Sequence, residues 1–97
     1  MTGSTLSSDG LDPRRRRLLF RSWHRGIREM DLILGRFADA CLTQFSDAEL
    51  DDYERLIAMP DPDLLGWVTG ELTAPADYDT LLLRRLRDFH LNARDVT

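Results

Sequence analysis

Few residues in this chain have the chemistry to engage a partner, and the densest group is Arg25-Gly26-Ile27-Arg28-Glu29. Two guanidinium groups and one carboxylate stand around a glycine. From Arg25 the charges fall at i, i+3 and i+4, which places them on one face if the stretch is helical. Gly26 has no Cβ, so it permits an unusual backbone angle or a close approach by another surface. The bland alternative is an intrahelical Arg25–Glu29 pair worth only a few tenths of a kcal/mol. A small acidic chain with one such patch and no catalytic signature reads as a docking protein.

Other reactive residues are sparse. There is no Gly-rich phosphate loop, no Cys/His spacing of the zinc type and no nucleophile elbow. His24 and His90 are the only histidines, and both read as ordinary helix residues rather than metal ligands. Cys41 falls on an apolar helical stripe and reads as a buried, inert thiol. No residue is assigned a catalytic or metal-binding role. The run Arg14 to Arg17 could hold a phosphate or an anionic surface. A solvated first turn is the plainer reading, although a helix N-terminus disfavours cations. Trp23 and Trp67 could anchor an interface, but partial burial in the core suits so small a molecule better.

The elements that must carry these residues are all helical. Residues 1–11 are rich in Ser, Thr and Gly and read as a disordered tail. Asp12-Pro13 is a cap followed by proline at the first helical position, opening a helix over about 13–22. It buries Leu18, Leu19 and Trp23 and leaves the Arg run in solvent. Ile27, Met30, Leu34, Phe37 and Cys41 repeat at 3.6-residue spacing and give a second helix over about 26–44. Gly35 lies inside it at a cost of about 1 kcal/mol relative to Ala, which close packing by a neighbouring helix would explain.

Ser46-Asp47-Ala48-Glu49 is a capping box, starting a third helix that ends near Ala58. It buries Leu50, Tyr53, Leu56 and Ile57. Asp61-Pro62 repeats the cap-plus-proline device for a fourth helix ending near Thr69, with Gly70 as the stop. Pro75 and Asp77 open the last helix, whose apolar side is Tyr78, Leu82, Leu86, Phe89 and Ala93 with Leu81 beside them. No alternating β pattern and no internal repeat occurs. The expected fold is all-α, a compact bundle of about five helices spanning residues 12–94, with a frayed end at 95–97.

With 97 residues, 42% of them hydrophobic, the chain closes one modest core. All 13 basic residues are Arg, so every basic contact is a planar, permanently charged fork. The net charge of −4 is unevenly spread. Residues 1–28 hold seven Arg and two Asp, whereas residues 29–80 hold two Arg and thirteen acids. That acidic middle argues against a broad nucleic-acid footprint. A single cysteine allows no internal disulfide. No apolar run approaches the roughly 20 residues that span a bilayer, and the first ten residues lack the apolar core of a secretory signal. The expectation is a soluble cytoplasmic protein, monomeric when free.

Arg25-Gly26-Ile27-Arg28-Glu29-Met30-Asp31 resembles the RGxxE signature of the SdhE family, the flavinylation factors called succinate dehydrogenase assembly factor 2 in mitochondria. Phe37 and Phe45 fall where that family keeps aromatics. Ser46-Asp47-Ala48-Glu49, Asp61-Pro62-Asp63-Leu64 with Trp67, and Pro75-Ala76-Asp77 resemble its further motifs, in order and at family spacing. The likeness covers about residues 14–92. It departs at Gly35, where some relatives have proline, and in the Arg run and Ser/Thr tail, which receive no role.

The resemblance implies a five-helix bundle. It implies a factor that promotes covalent attachment of FAD to the flavoprotein subunit of succinate dehydrogenase, and of fumarate reductase in some bacteria. It makes Arg25, Gly26, Arg28 and Glu29 the surface that meets the flavoprotein, with Asp31 as a weaker member. On this expectation the chain is a chaperone-like assembly factor rather than an enzyme, binds no cofactor stably, and leaves FAD to its client. Three alternatives remain open at this point: an antitoxin-like or regulatory interaction module, a weak flavin-binding carrier, and a metal-dependent enzyme using His24 or His90.

Overall fold

The computed structural model describes residues 10–96, so residues 1–9 of the tail expected over 1–11 lie outside them, while Leu11 packs partly buried against the core. Five α-helices follow in order: α1 (Pro13–Trp23), α2 (Arg28–Cys41), α3 (Asp47–Ile57), α4 (Asp61–Thr69) and α5 (Leu81–Val96). A single 3-10 turn, Leu42–Gln44, extends α2. No strand occurs among the described residues, and the all-α bundle agrees with the apolar spacing.

α1 starts as its sequence dictates. Asp12 accepts from the Arg15 N–H at 3.2 Å, and Pro13 supplies the first helical position. The Arg run, however, is divided rather than uniformly solvated. Arg14 reaches Asp51 at 2.6 Å and Glu54 at 3.2 Å on α3. Arg15 pairs with Asp12 and donates to the Leu42 and Phe45 carbonyls at 3.0 and 2.5 Å. These partners offset the unfavourable placement of cations at a helix N-terminus. Arg16 and Arg17 alone remain exposed.

The core is drawn from every helix. Phe37 lies within about 6 Å, centroid to centroid, of Phe45, Tyr53 and Phe89, and Phe45 lies 5.7 Å from Tyr53. Such tilted ring pairs add to the burial of their surface. The Tyr53 phenol is fully buried but not orphaned. Ser22 donates to the Leu18 carbonyl at 2.7 Å, which leaves its oxygen to accept from Tyr53 at 2.5 Å. Burial pushes the phenol well above its ordinary pKa. Trp23 and Trp67 are both core residues. Trp23 lies flat over Gly35, where an added Cβ would overlap the indole. This contact is the reason a glycine is accepted inside α2.

Helix starts beyond α2 divide into one agreement and two corrections. At α3 the capping box forms in both directions, with Ser46 N–H donating to Glu49 at 2.8 Å and Glu49 N–H donating to Ser46 at 3.2 Å. At α4, Asp61 is the first helical residue rather than the cap. Pro60 holds the cap position and has no side-chain group able to cap, while the Asp61 carboxylate is engaged elsewhere. At the last helix, Pro75-Ala76-Asp77 forms a turn closed by Tyr78 N–H to Pro75 O at 2.9 Å. α5 starts later, with Thr80 accepting from the Leu83 N–H at 3.3 Å. That shift buries Leu83 and leaves Leu81 75% exposed, against the expectation for Leu81. Tyr78 instead packs its ring on Trp67 at 5.3 Å, under the Arg55 guanidinium.

Candidate functional site

The five singled-out residues lie at the α1–α2 corner. α1 ends at Trp23, His24 caps it, and α2 begins only at Arg28. Between them Gly26 adopts φ +95°, a left-handed conformation that strains any residue with a Cβ. Nothing lies within 4 Å of where a Cβ would sit. Of the two reasons a glycine could stand here, the backbone angle is the operative one.

This geometry corrects the expectation that Arg25, Arg28 and Glu29 share one helical face. Arg25 precedes α2, and the Gly26 turn sends its side chain the other way, into the bundle. Its guanidinium donates to the Ile57 carbonyl, to the Met59 carbonyl at 2.9 Å and to Asp61 at 2.9 Å. The Arg25 and Asp61 side chains are only 12% and 14% exposed. Carbonyls at a helix C-terminus lack intrahelical partners and favour a cation. Arg25 supplies it to the end of α3, and Asp61 balances the charge from the start of α4. No Arg25–Glu29 pair forms.

Asp31 completes the arrangement. It accepts the Arg25 backbone N–H at 2.5 Å, while its own N–H bonds Ile27 O at 2.9 Å. Ile27, at the cap position of α2, has no side chain able to cap. Asp31 reaches back instead and fixes the loop from inside the first turn. Arg25 and Asp31 therefore hold the corner, and Gly26, Arg28 and Glu29 are presented to solvent. Neither Arg28 nor Glu29 makes an ion pair or hydrogen bond among the described residues. Glu29 sits in the first turn of α2, where a carboxylate is favoured.

Two features of this corner escaped the sequence reading. Asp61, 36 residues from Arg25, was read as a cap. Phe20 was given no place, yet it is 62% exposed and stacks on the His24 ring at 3.9 Å and 13°. His24 also bonds the Phe20 carbonyl at 2.7 Å through Nδ1. Helical spacing was the available signal, since Phe20 is four residues before His24 and off the Leu18–Leu19 side. Cys41 is half-buried, and desolvation raises its thiol pKa, so little thiolate forms near neutrality. Among the described residues no cluster of His, Cys, Asp and Glu is placed to hold a metal ion. No helix among them is long and apolar enough to cross a membrane.

Comparison with known proteins gives this corner a context. A family model described as "Flavinator of succinate dehydrogenase" (Sdh5) matches residues 16–90. The chain is 41% identical over 85 residues to the FAD assembly factor SdhE of Acetobacter pasteurianus, covering 88% of this chain and 78% of that one. It is 36% identical over 70 residues to the mitochondrial succinate dehydrogenase assembly factor 2 of Dictyostelium discoideum, covering 72% and 50% of the two chains. It is 37% identical over 92 residues to the mitochondrial assembly factor 2-A of Drosophila yakuba, covering 93% and 57%. The match thus spans most of the bacterial relative and about half the length of these mitochondrial ones. The matched region contains the α1–α2 corner, all of α2, α3 and α4 and most of α1 and α5, and on that basis the chain belongs to the Sdh5 family of succinate dehydrogenase flavinators.

Proposed function

We propose that this chain promotes covalent attachment of FAD to the flavoprotein subunit of succinate dehydrogenase by docking on that subunit through Gly26, Arg28 and Glu29. One observation carries the reading. The α1–α2 corner is held from behind by Arg25 and Asp31, while the outward Arg28 and Glu29 have no ion-pair or hydrogen-bond partner among the described residues. Charged groups fixed on a preorganised loop lose little freedom on binding.

The geometry favours an indirect mechanism. Attachment of the flavin through its 8-methyl group builds negative charge on the ring, which preorganised donors stabilise only in a dry site. Arg25 already serves two carbonyls and a carboxylate, so it is not available to a flavin. Arg28 stands in solvent, where its charge is screened. The chain instead holds mobile parts of the flavoprotein so that its histidine and its flavin align. On this reading it is an assembly factor and not an enzyme, it works in the cytoplasm, and FAD belongs to the client.

Covalent flavin on the subunit, seen as in-gel fluorescence, tests the assignment. Arg28→Glu and Glu29→Ala alter exposed side chains and are expected to leave the fold intact and to lower flavinylation several-fold in cells that depend on this chain. Normal flavinylation in both variants would remove the motif surface from the mechanism.

A further inference from the structure

The outer face of α1 is left unpaired, although the neighbouring Arg14, Arg15 and Arg25 are all engaged. Arg16, Arg17, Phe20, Arg21 and His24 fall at i, i+1, i+4, i+5 and i+8, one continuous side of the helix. The opposite side buries Leu18, Leu19, Ser22 and Trp23. Arg14, Arg15 and Arg25 all have carboxylate partners. Arg16, Arg17 and Arg21 have no ion pair or hydrogen bond among the described residues, although the chain holds 17 acids. Several acids are committed elsewhere: Asp51 and Glu54 to Arg14, Asp61 to Arg25, and Glu49 to Arg85. Between these free guanidiniums stands the Phe20–His24 stack, the largest exposed aromatic surface on the described residues.

We infer that this face is a second half of the docking surface, and that it fits an acidic patch with an apolar recess on the same flavoprotein subunit. The inference rests on the reading given under Proposed function and deepens it by naming the chemistry of the partner. The two halves are continuous, since Gly26 is two residues beyond His24 and so within about 7 Å along the chain. Ile27, 47% exposed, extends the apolar strip toward Arg28. A ring flanked by unpaired arginines is the composition of a protein–protein anchor. Anionic lipid and nucleic acid fit less well. Three free guanidiniums give either only a weak attraction, and a chain of net charge −4 and pI near 5.0 repels both elsewhere.

The test is the affinity of the full chain for the purified flavoprotein subunit, measured across a salt series. Phe20→Ala and the double variant R17E/R21E are compared with wild type and with Glu29→Ala. Melting temperature is the check on folding, since Arg17, Phe20 and Glu29 are exposed and Arg21 is half-buried. Phe20→Ala is expected to weaken binding about 10-fold. R17E/R21E is expected to weaken it at least about 10-fold at low salt and to flatten the salt dependence. If both bind like wild type while Glu29→Ala weakens, this inference is overturned and the motif surface stands. If they weaken while Glu29→Ala does not, the α1 face stands and the motif surface falls. A wild-type chain that does not bind the subunit overturns both. Binding to phosphatidylserine vesicles that R17E/R21E abolishes, with affinity for the subunit unchanged, would identify a membrane contact and also overturn it.

Discussion

Arg25 illustrates how one residue of a recognition motif can act without touching the partner. Its five N–H donors form a rigid fork, and the structure distributes that fork over two carbonyls and one carboxylate. Truncation leaves Asp61 and the carbonyls at the end of α3 without their donor. Because the pair is largely but not wholly buried, Arg25→Ala is expected to cost about 2–3 kcal/mol in urea unfolding. Arg28→Ala, three residues away and solvated, is expected to stay within about 0.5 kcal/mol of wild type. Equal losses from the two would contradict the division into holding and presenting residues. The sequence showed the motif but not this division. The i, i+3, i+4 spacing presumes an unbroken helix, and the left-handed Gly26 breaks it. The glycine was itself the clue, but the partner of Arg25 lies 36 residues away and no local pattern points to it.

At the scale of elements, legibility followed how local the controlling interaction is. The capping box at Ser46 involves four consecutive residues and formed as written. Pro75-Ala76-Asp77 carries the same kind of local signal, yet it became a turn. Tyr78 stacks on Trp67 of α4, and Thr80 takes over as the start of α5. Asp61 shows the same override, since its carboxylate makes an ion pair with a distant arginine instead of capping its own helix. The α1–α2 packing supplies a further test. Gly35→Ala would gain about 1 kcal/mol of helix propensity if nothing opposed it. Here the new methyl meets the Trp23 ring rather than open space. The substitution is expected to destabilise by about 1–3 kcal/mol through overpacking, with a shift in Trp23 fluorescence. An increase in stability would mean that the indole has room to move.

The whole molecule separates charge by task. The acids of α3 and α4 neutralise Arg14, Arg25 and Arg85 and so hold helices together, whereas Arg16, Arg17 and Arg21 on α1 and Arg28 and Arg36 on α2 make no ion pair or hydrogen bond among the described residues. The uneven charge along the chain was plain from the sequence, but which arginines are spent internally depends on packing. Stability should respond to acid accordingly. The Arg15 side-chain hydrogen bond holds Asp12 below its ordinary pKa of 3.8, and the Ser46 backbone N–H, with Arg85, holds Glu49 below 4.5. A carboxylate with a depressed folded pKa contributes stability above its unfolded value and loses it as pH falls through the folded one. The melting temperature is therefore expected to be flat from neutral pH to about 5 and to decline below about 4.5. Glu49→Gln should start lower and decline less. A melting temperature that rose on acidification would reverse the sign of these contributions.

The indole of Trp23 sits directly behind the corner, two residues from Arg25, buried and donating to Asp39 at 3.2 Å. It is therefore a built-in optical gauge for the loop. With Trp67 replaced by phenylalanine, emission from the remaining indole would follow any rearrangement of the corner in real time, without a dye or a label.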